Sequence, residues 1–199
     1  MEFYHKPVLF DETIESLNIR PDGIYIDGTA GGGGHSLAVA KRLKTGKLLA
    51  IDQDPDAVKA AGGRLKDYPC ATVYRTNFSL MDKAARRFGL VPADGVLLDI
   101  GVSSFQLDDP ARGFSYHSDA PLDMRMSREG VSARDLVNSL SERELEEILY
   151  KYGEESNARR IAAGIVKARE EAPVETTLQL ADIVKNSVPA AVRRKPGHP

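Results

Sequence analysis

The most constraining feature of this chain is a glycine-rich turn between an apolar run and an amphipathic segment. Residues 24–36 read IYIDGTAGGGGHS, with five glycines among the seven positions from Gly28 to Gly34. The run Ile24–Ile26 predicts a short buried strand that leads into Asp27, and a helix is expected to follow the turn. Each glycine adds backbone entropy that folding must remove, so a plain surface turn rarely holds so many. A strand, a glycine turn and a helix start, in this order, indicate a place where the backbone approaches a ligand closely.

The first half of the chain alternates strand patterns with helix patterns. The predicted strands are Ile24–Ile26, Lys47–Ile51, Ala71–Tyr74 and Val96–Leu98, and the predicted helices are Ser36–Leu43, Asp56–Leu65 and Ser79–Phe88. Such alternation predicts a parallel sheet with helices on its faces. The apolar runs do not alternate with polar residues, which is typical of strands buried on both faces.

The second half, from about residue 106, contains no convincing buried strand. Residues 106–130 are polar and rich in Asp, Arg, Gly and Pro, and we expect a long loop there. Two capping-box patterns follow, one at Ser141 and Glu144 and the other at Thr176 and Gln179. Apolar residues at helical spacing follow each box; behind the first they are Leu145, Ile148, Leu149 and Tyr152. This half is therefore predicted to be a helical module.

Composition and charge exclude several classes of protein. The 199 residues carry a formal net charge of −2, so any nucleic-acid contact must use a local basic patch. One candidate patch is Arg112, Arg125 and Arg128, although ordinary arginine–aspartate pairs in a solvated loop explain these residues equally well. The single Cys70 excludes an intrachain disulfide, and the four histidines have no spacing typical of a metal site. Without an apolar run long enough for a membrane span, we expect a cytoplasmic protein with no membrane partner.

Three of the predicted strands end at or next to an acid, namely Asp27, Asp52 and Asp99. Ligands of open parallel sheets bind beyond the carboxyl ends of the strands, where an acid can accept hydrogen bonds from ribose hydroxyls. Asp52 has the spacing for that role, although Asp52 and Asp54 could instead simply cap the next helix. A dinucleotide fingerprint would need glycine where Ser36 stands, and Asp27 would repel a diphosphate. The pattern therefore favours a ligand with a cationic group, such as S-adenosylmethionine, over a nicotinamide dinucleotide.

Six motifs in order give the chain a specific resemblance. They are HKPVL (5–9), IYIDGTAGGGGHS (24–36), LLAIDQD (48–54), LLDIGVSSFQLDD (97–109), RGFSY (112–116) and PLDMRM (121–126). Together they resemble the bacterial small-subunit ribosomal RNA cytosine-N4 methyltransferase family, often called methyltransferase H. The resemblance implies an α/β, Rossmann-like methyltransferase sheet interrupted by an all-helical insertion. It also implies S-adenosylmethionine as cofactor and methylation of the N4 amine of a cytidine near the decoding site of 16S ribosomal RNA. The small subunit or its RNA would be the partner, and the oligomeric state stays open, a homodimer included.

The resemblance also supplies site residues. The family's cofactor contacts match Gly33, Gly34, His35, Asp52, Phe78, Asp99 and Gln106. Each has a plainer alternative: a side chain at a helix start for His35, a core residue for Phe78, a surface loop residue for Gln106. No general base can be named, because the segment DIGVSS (99–104) lacks the Asp/Asn-Pro-Pro-aromatic motif of many amino-methyltransferases.

The family continues beyond the point at which this chain stops, inside the helical insertion at Pro196–Pro199. On this comparison, residues 1–105 are the N-terminal part of the Rossmann-like domain, and 106–199 are a loop and a truncated insertion. A seven-stranded sheet would lack its last three strands, leaving the strand before Asp99 as an exposed apolar edge. We therefore expect a fragment of impaired stability and little or no activity. A non-catalytic cofactor-binding module and, less favoured, a nicotinamide-dependent oxidoreductase remain alternatives.

Overall fold

The computed structural model describes residues 9–190 and divides them between two compact units. The sheet unit contains the described residues up to Ser104 together with Met126–Arg128. The helical unit contains Phe105–Arg125 and the described residues from Glu129 onward. Most of the HKPVL motif and the end at Pro196–Pro199 lie outside the described residues.

The sheet unit is built on four parallel strands. They are β1 (Ile24–Asp27), β2 (Lys47–Asp52), β3 (Ala71–Arg75) and β4 (Gly95–Leu97), and their order across the sheet is β3-β2-β1-β4. The predicted α/β class and parallel sheet are therefore confirmed. Each observed strand lies within about one residue of its predicted position, because the apolar runs mark the strands closely.

Four α-helices flank this sheet. They are α1 (Phe10–Ser16), α2 (Gly34–Ala40), α3 (Pro55–Leu65) and α4 (Met81–Arg87), the last preceded by a 3-10 turn at Phe78–Leu80. The helix expected at Ser36–Leu43 begins two residues earlier and ends three residues earlier. The helix expected at Ser79–Phe88 is instead a 3-10 turn followed by the shorter α4, since Asn77 caps the turn by accepting from the amide of Ser79.

The centre of the sheet is fully buried, whereas its β4 edge is not. Residues 48–51 of β2 have no exposed surface, and they contribute alternately to the apolar clusters on the two faces of the sheet. In β4, by contrast, Val96 is 46% exposed and only Leu97 is buried. Burial on both faces was thus predicted correctly for β2 and wrongly for β4, which is the last strand on its side among the described residues. The exposed apolar edge at β4 agrees with the expectation that the strand before Asp99 has no neighbour on its outer side. The lowered stability of the chain stays a prediction.

The helical unit contains α6 (Ala133–Ser139), α7 (Glu142–Lys151), α8 (Ala158–Glu171) and α9 (Thr177–Ser187). Both predicted capping boxes are present, and a third joins Ser132 to Asp135. The cap side chains fix the helix starts by accepting otherwise unpaired amides. The buried core of this unit includes Leu122, Val137, Leu145, Ile161, Ile165 and Val188.

Two predictions for the second half of the chain were wrong. The expected loop at 106–130 contains α5 (Ser104–Asp108) and a 3-10 turn at Pro110–Arg112, because Asp109 caps that turn through the amide of Ala111. The apolar face expected on α7 is narrower than its pattern suggested. Leu145 is buried, but Ile148 is 38% exposed and Tyr152 is 74% exposed.

Within the described range, no helix has the length and apolar character needed to cross a bilayer.

The two faces of α7 give a test of the helical core. Leu145→Ala should lower the free energy of unfolding by about 2–4 kcal/mol, because it leaves a cavity among the side chains of α7 and its neighbours. Ile148→Ala on the same helix should cost less than half as much, since its side chain is already partly in water. Urea unfolding followed by far-ultraviolet circular dichroism measures both variants. Equal losses would contradict the observed orientation of α7.

Candidate functional site

The loop between β1 and α2, residues 28–33, is fixed by backbone bonds to both neighbouring strands. We call it the glycine loop. The amide of Gly28 donates to the carbonyl of Leu97 (2.9 Å), and the amide of Ala30 donates to the carbonyl of Ile51 (2.8 Å). Inside the loop, the amide of Gly33 donates to the carbonyl of Ala30 (2.7 Å). Its shape is therefore set by the ends of β4 and β2.

The protein's own backbone explains two of the loop's glycines. Gly33 has φ +78, and a Cβ there would lie 3.1 Å from Cα of Ala61 in α3. Gly31 has φ +51, which also favours glycine, although the nearest atom to a Cβ would be 3.9 Å away. A Cβ on Gly28 would lie 2.6 Å from Cδ2 of Leu98, the end of a partly exposed side chain that can move aside. The sequence interpretation, which assigned the glycines to ligand approach, is thus incomplete, because Gly31 and Gly33 are required by the backbone itself.

Asp27, the last residue of β1, lies inside the protein. It is 2% exposed; the Ser36 hydroxyl donates to its Oδ2 (2.6 Å), and the Thr29 amide donates to its Oδ1 (3.1 Å). Burial raises the pKa of Asp27 to about 6, the carboxylates of Asp52 and Asp99 add to the rise, and the two hydrogen bonds oppose it. Sequence reasoning placed this acid towards a cationic ligand; its two oxygens instead bind donors of the protein itself.

Asp52 reaches the glycine loop from the end of β2. Its Oδ2 accepts the amide of Gly31 (2.8 Å), and its Oδ1 accepts the amide of Asp54 (2.9 Å). The cap of α3 is formed by the buried Asp54, whose side chain accepts the amide of Asp56. The capping alternative therefore describes Asp54 and not Asp52, whose carboxylate is joined to the loop that would carry a ligand.

Two further predicted residues lie beside the loop. Asp99, two residues beyond β4, is exposed, and its amide donates to Oγ1 of Thr29 (2.7 Å). Phe78 is partly buried, and its Cβ would be 3.3 Å from a Cβ on Gly28. The contact with Thr29 could not be predicted from local patterns, because it joins residues 70 positions apart.

His35 lies in the first turn of α2, directly after Gly34. It is 6% exposed and stacks on Phe10, with ring centroids 5.4 Å apart. Burial lowers the pKa of His35, and Asp99 acts in the opposite direction. Its Nε2 is buried without a hydrogen-bond partner within the described part of the chain. A buried ring nitrogen in that state is open to a hydrogen bond from a bound ligand.

Gln106 belongs to the helical unit, in α5, where it is 4% exposed. Its burial excludes the alternative of a surface loop residue. A role for Gln106 in cofactor binding stays a prediction, as does the role of each of the other six site residues.

The arginines considered for phosphate binding already have partners. Arg125 forms a bidentate contact with Asp123, and Arg112 is 4% exposed and donates to the carbonyl of Arg125 (3.0 Å). In the sheet unit, Arg128 pairs with Asp56 (2.6 Å). These contacts favour the arginine–aspartate alternative over a phosphate site.

The carboxyl ends of three neighbouring strands are rich in hydrogen-bond acceptors. Three carboxyls, on Asp27, Asp52 and Asp99, follow adjacent strands beside a loop shaped by positive-φ glycines. Hydroxyls and cationic groups are the ligand features that carboxylates bind. Nowhere in residues 9–190 do three His, Cys, Asp or Glu side chains group as a metal site would require.

The loop glycines predict contrasting effects of alanine. Gly33→Ala should cost about 1–3 kcal/mol of stability, because alanine is strained at φ +78 and its Cβ would press on Ala61. Gly62→Ala, inside α3 with no neighbour within 4 Å, should stabilise by about 0.5–1 kcal/mol. Urea unfolding distinguishes the two. A neutral Gly33→Ala would contradict the packing described here.

The raised pKa of Asp27 predicts a pH-dependent stability. The folded protein holds this proton more tightly than the unfolded chain, where the pKa is near 3.8. The stabilisation is therefore complete below pH 3.8 and is lost as the pH rises through 6, a change of about 3 kcal/mol. Asp27→Asn removes this dependence, so its stability relative to the native chain should rise by about that amount between pH 4 and pH 7.5. Urea unfolding at both pH values tests this, with the exposed Asp67→Asn as a variant that should show no such rise.

Comparison with known proteins identifies the family of this chain. The model of the MraW methylase family matches residues 2–199. The chain is 54% identical over its whole length to ribosomal RNA small subunit methyltransferase H of Lachnospira eligens, of which it covers 64%. It is 51% identical to the protein of that name from Clostridium botulinum strain Kyoto and 52% identical to the one from Symbiobacterium thermophilum, covering 65% and 64% of them. The chain thus spans just under two thirds of the length of these curated relatives. The match of this family model over residues 2–199 shows that the chain belongs to the MraW methylase family.

Proposed function

We propose that this chain binds S-adenosylmethionine on the glycine loop and serves the methylation of small-subunit ribosomal RNA in the cytoplasm. The proposed target is the N4 amine of a cytidine near the decoding site. The observation that carries the proposal is the bond from the Gly31 amide to Asp52 Oδ2, which holds a carboxylate beside the loop. The names of the relatives support the choice of ribosomal RNA.

The contacts of Asp52 leave it able to bind a ribose. Each of its carboxylate oxygens accepts one amide, and a carboxylate offers about four acceptor positions, so two remain for the two ribose hydroxyls. Because both oxygens are already held, the carboxylate is oriented before a ligand arrives. This is the arrangement that costs a ligand least to bind.

The remaining predicted contacts complete the proposed cofactor site. Gly33 and Gly34 bring backbone close to the ligand, and Phe78 offers an apolar surface to the adenine. His35 offers the open Nε2, and Asp99 an exposed carboxylate. Gln106 is proposed as a cofactor contact from the family resemblance alone.

The proposed reaction requires alignment more than acid–base chemistry. When bound, S-adenosylmethionine supplies a methyl group on a positively charged sulfur. The cytosine amine is a poor nucleophile because its lone pair is delocalised into the ring, so the protein must hold it in line and stabilise developing positive charge. We assign this role to the exposed carboxylate of Asp99 and to backbone carbonyls of the segment that follows it. No residue is assigned as a general base.

Asp52 provides the test of the cofactor site. Asp52→Ala should weaken S-adenosylmethionine binding by about tenfold to a hundredfold, because charged hydrogen bonds are worth about 1.5–3 kcal/mol. Asp52→Asn, which keeps an acceptor for the Gly31 amide, should lose less. Isothermal titration calorimetry measures both, with the exposed Asp82→Asn in α4 as the control. Undiminished binding by Asp52→Ala would refute the ribose assignment.

The substrate is tested separately on small-subunit particles and on free 16S ribosomal RNA. Because a fragment of low activity is expected, incubation with S-adenosylmethionine and mass-spectrometric mapping should find at most a low yield of methyl groups, all of them on a cytidine N4 near the decoding site. Cofactor binding without a mark on any RNA would instead support the non-catalytic binding module. Binding of nicotinamide dinucleotides in preference to S-adenosylmethionine would support the oxidoreductase.

A further inference from the structure

Asp27 is the central member of a row of three carboxyls. It ends β1, which lies between β2 and β4; Asp52 ends β2, and Asp99 follows β4. Asp27 interacts electrostatically with both of the others, and each interaction opposes its ionisation. A positive charge placed at these strand ends would favour the ionised form of all three.

Among the described residues, no cation compensates Asp27. Its partners are the hydroxyl of Ser36 and the amide of Thr29, both neutral donors. The charged groups that act on it are Asp52, from β2, and Asp99, from beyond β4. His35, the titratable group on α2, interacts electrostatically with Asp99 and has its own pKa lowered by burial, so it adds little positive charge near neutral pH.

We propose that Asp27 makes ligand binding at the glycine loop proton-linked, so that a cationic ligand binds with release of a proton from Asp27 and its neutral counterpart does not. This inference rests on the proposed function. The cationic ligand is S-adenosylmethionine, and the neutral counterpart is S-adenosylhomocysteine, which lacks one methyl group and has an uncharged sulfur. The step is the loss of a proton from the Asp27 carboxylic acid to the solvent, leaving a carboxylate.

The physical reason is the balance that holds this proton. Burial and the two neighbouring acids favour the neutral acid, with a pKa of about 6, while Ser36 and Thr29 favour the carboxylate. A fixed positive charge on the sulfur also favours the carboxylate, and it therefore lowers the pKa of Asp27. By linkage, whatever lowers the pKa on binding must itself bind more tightly when the proton has left. Asp27 needs no contact with the ligand, because charges interact through the poorly screened interior.

The linkage gives the site a means to distinguish cofactor from spent cofactor. As the pH rises through 6, the affinity for the cationic ligand increases, and the affinity for the thioether is unaffected by Asp27. The two ligands have the same adenosyl and amino-acid groups, so a titration that does not sense the sulfur contributes alike to both, and Asp27→Asn separates Asp27 from any other group that does sense it. The ratio of the two affinities therefore isolates the effect of sulfur charge.

The test is isothermal titration calorimetry of the 199-residue chain with each ligand between pH 5 and pH 7.5. The affinity ratio of S-adenosylmethionine to S-adenosylhomocysteine should increase about tenfold over this range. At pH 6, repeating the titration in buffers of different ionisation enthalpy should show proton release with the cationic ligand only.

Three variants separate charge from structure. Asp27→Asn should bind both ligands with a pH-independent ratio; its amide can accept from Thr29 and donate to Ser36, so the hydrogen-bond pattern can persist. Ser36→Ala removes a hydrogen bond that lowers the pKa of Asp27, so the midpoint of the ratio should move to higher pH. The exposed Asp67→Asn should behave as the native chain. A role confined to holding the loop would not move this midpoint.

Several outcomes would overturn the inference. A constant affinity ratio in the native chain would do so, as would an Asp27→Asn variant whose ratio still rises with pH. If neither ligand binds at pH 7.5, the cofactor assignment itself fails, and the inference fails with it. If both bind with the same pH profile, the cofactor assignment stands and only the role of Asp27 is wrong.

Discussion

The pairing of β1 between β2 and β4 is the interaction on which the site depends. Parallel register brings the carboxyl ends of these strands to one edge, where the loop after β1 can bond to both neighbours. The amides of Gly28 and Ala30 use that opportunity, one towards each strand. Because these bonds come from the backbone, they depend on sheet geometry and not on side-chain identity. Side chains then add the Asp52 and Thr29 contacts to a loop already in place.

The same strand pairing places the carboxyl of Asp27 in an environment that is unfavourable for a charge. The carboxyl of Asp27 is buried at the end of β1, and its hydrogen-bond partners among the described residues are neutral donors. Buried charges are usually paired, so a buried carboxyl without a cationic partner lowers the free energy of unfolding near neutral pH. Strain and unfavourable electrostatics of this kind are concentrated at functional sites. The position of Asp27, one residue before the glycine loop, fits that rule.

Local sequence patterns predicted the helices and strands, whereas contacts between distant residues determine the geometry of the candidate site. The strands β1 and β2 were recognisable because uninterrupted apolar runs mark them, and the caps at Ser141 and Thr176 because their signals lie within four residues. Helix α1 was not predicted, because Phe10 and Ile14 alone do not make a clear apolar face. The bond between Asp99 and Thr29 could not have been found in this way, because it spans 70 residues. A pattern fixes which residue types follow a strand, but tertiary packing decides whether a carboxyl such as Asp27 faces a ligand or the interior.

Glycine-rich turns are usually interpreted as ligand cradles, and this loop shows why that interpretation needs a second observation. At Gly33 the space that a side chain would need is occupied by Ala61, so this glycine would be required without any ligand. The positive φ of Gly31 likewise favours glycine without a ligand, but Gly31 differs from Gly33 in that its amide is held by Asp52. The evidence for a cofactor therefore rests on one glycine and one acid joined across two strands. In the proposed site the carboxylate of Asp52 is oriented by the glycine loop before a ligand arrives, and such preorganisation is what we expect of a binding site as opposed to a tight turn.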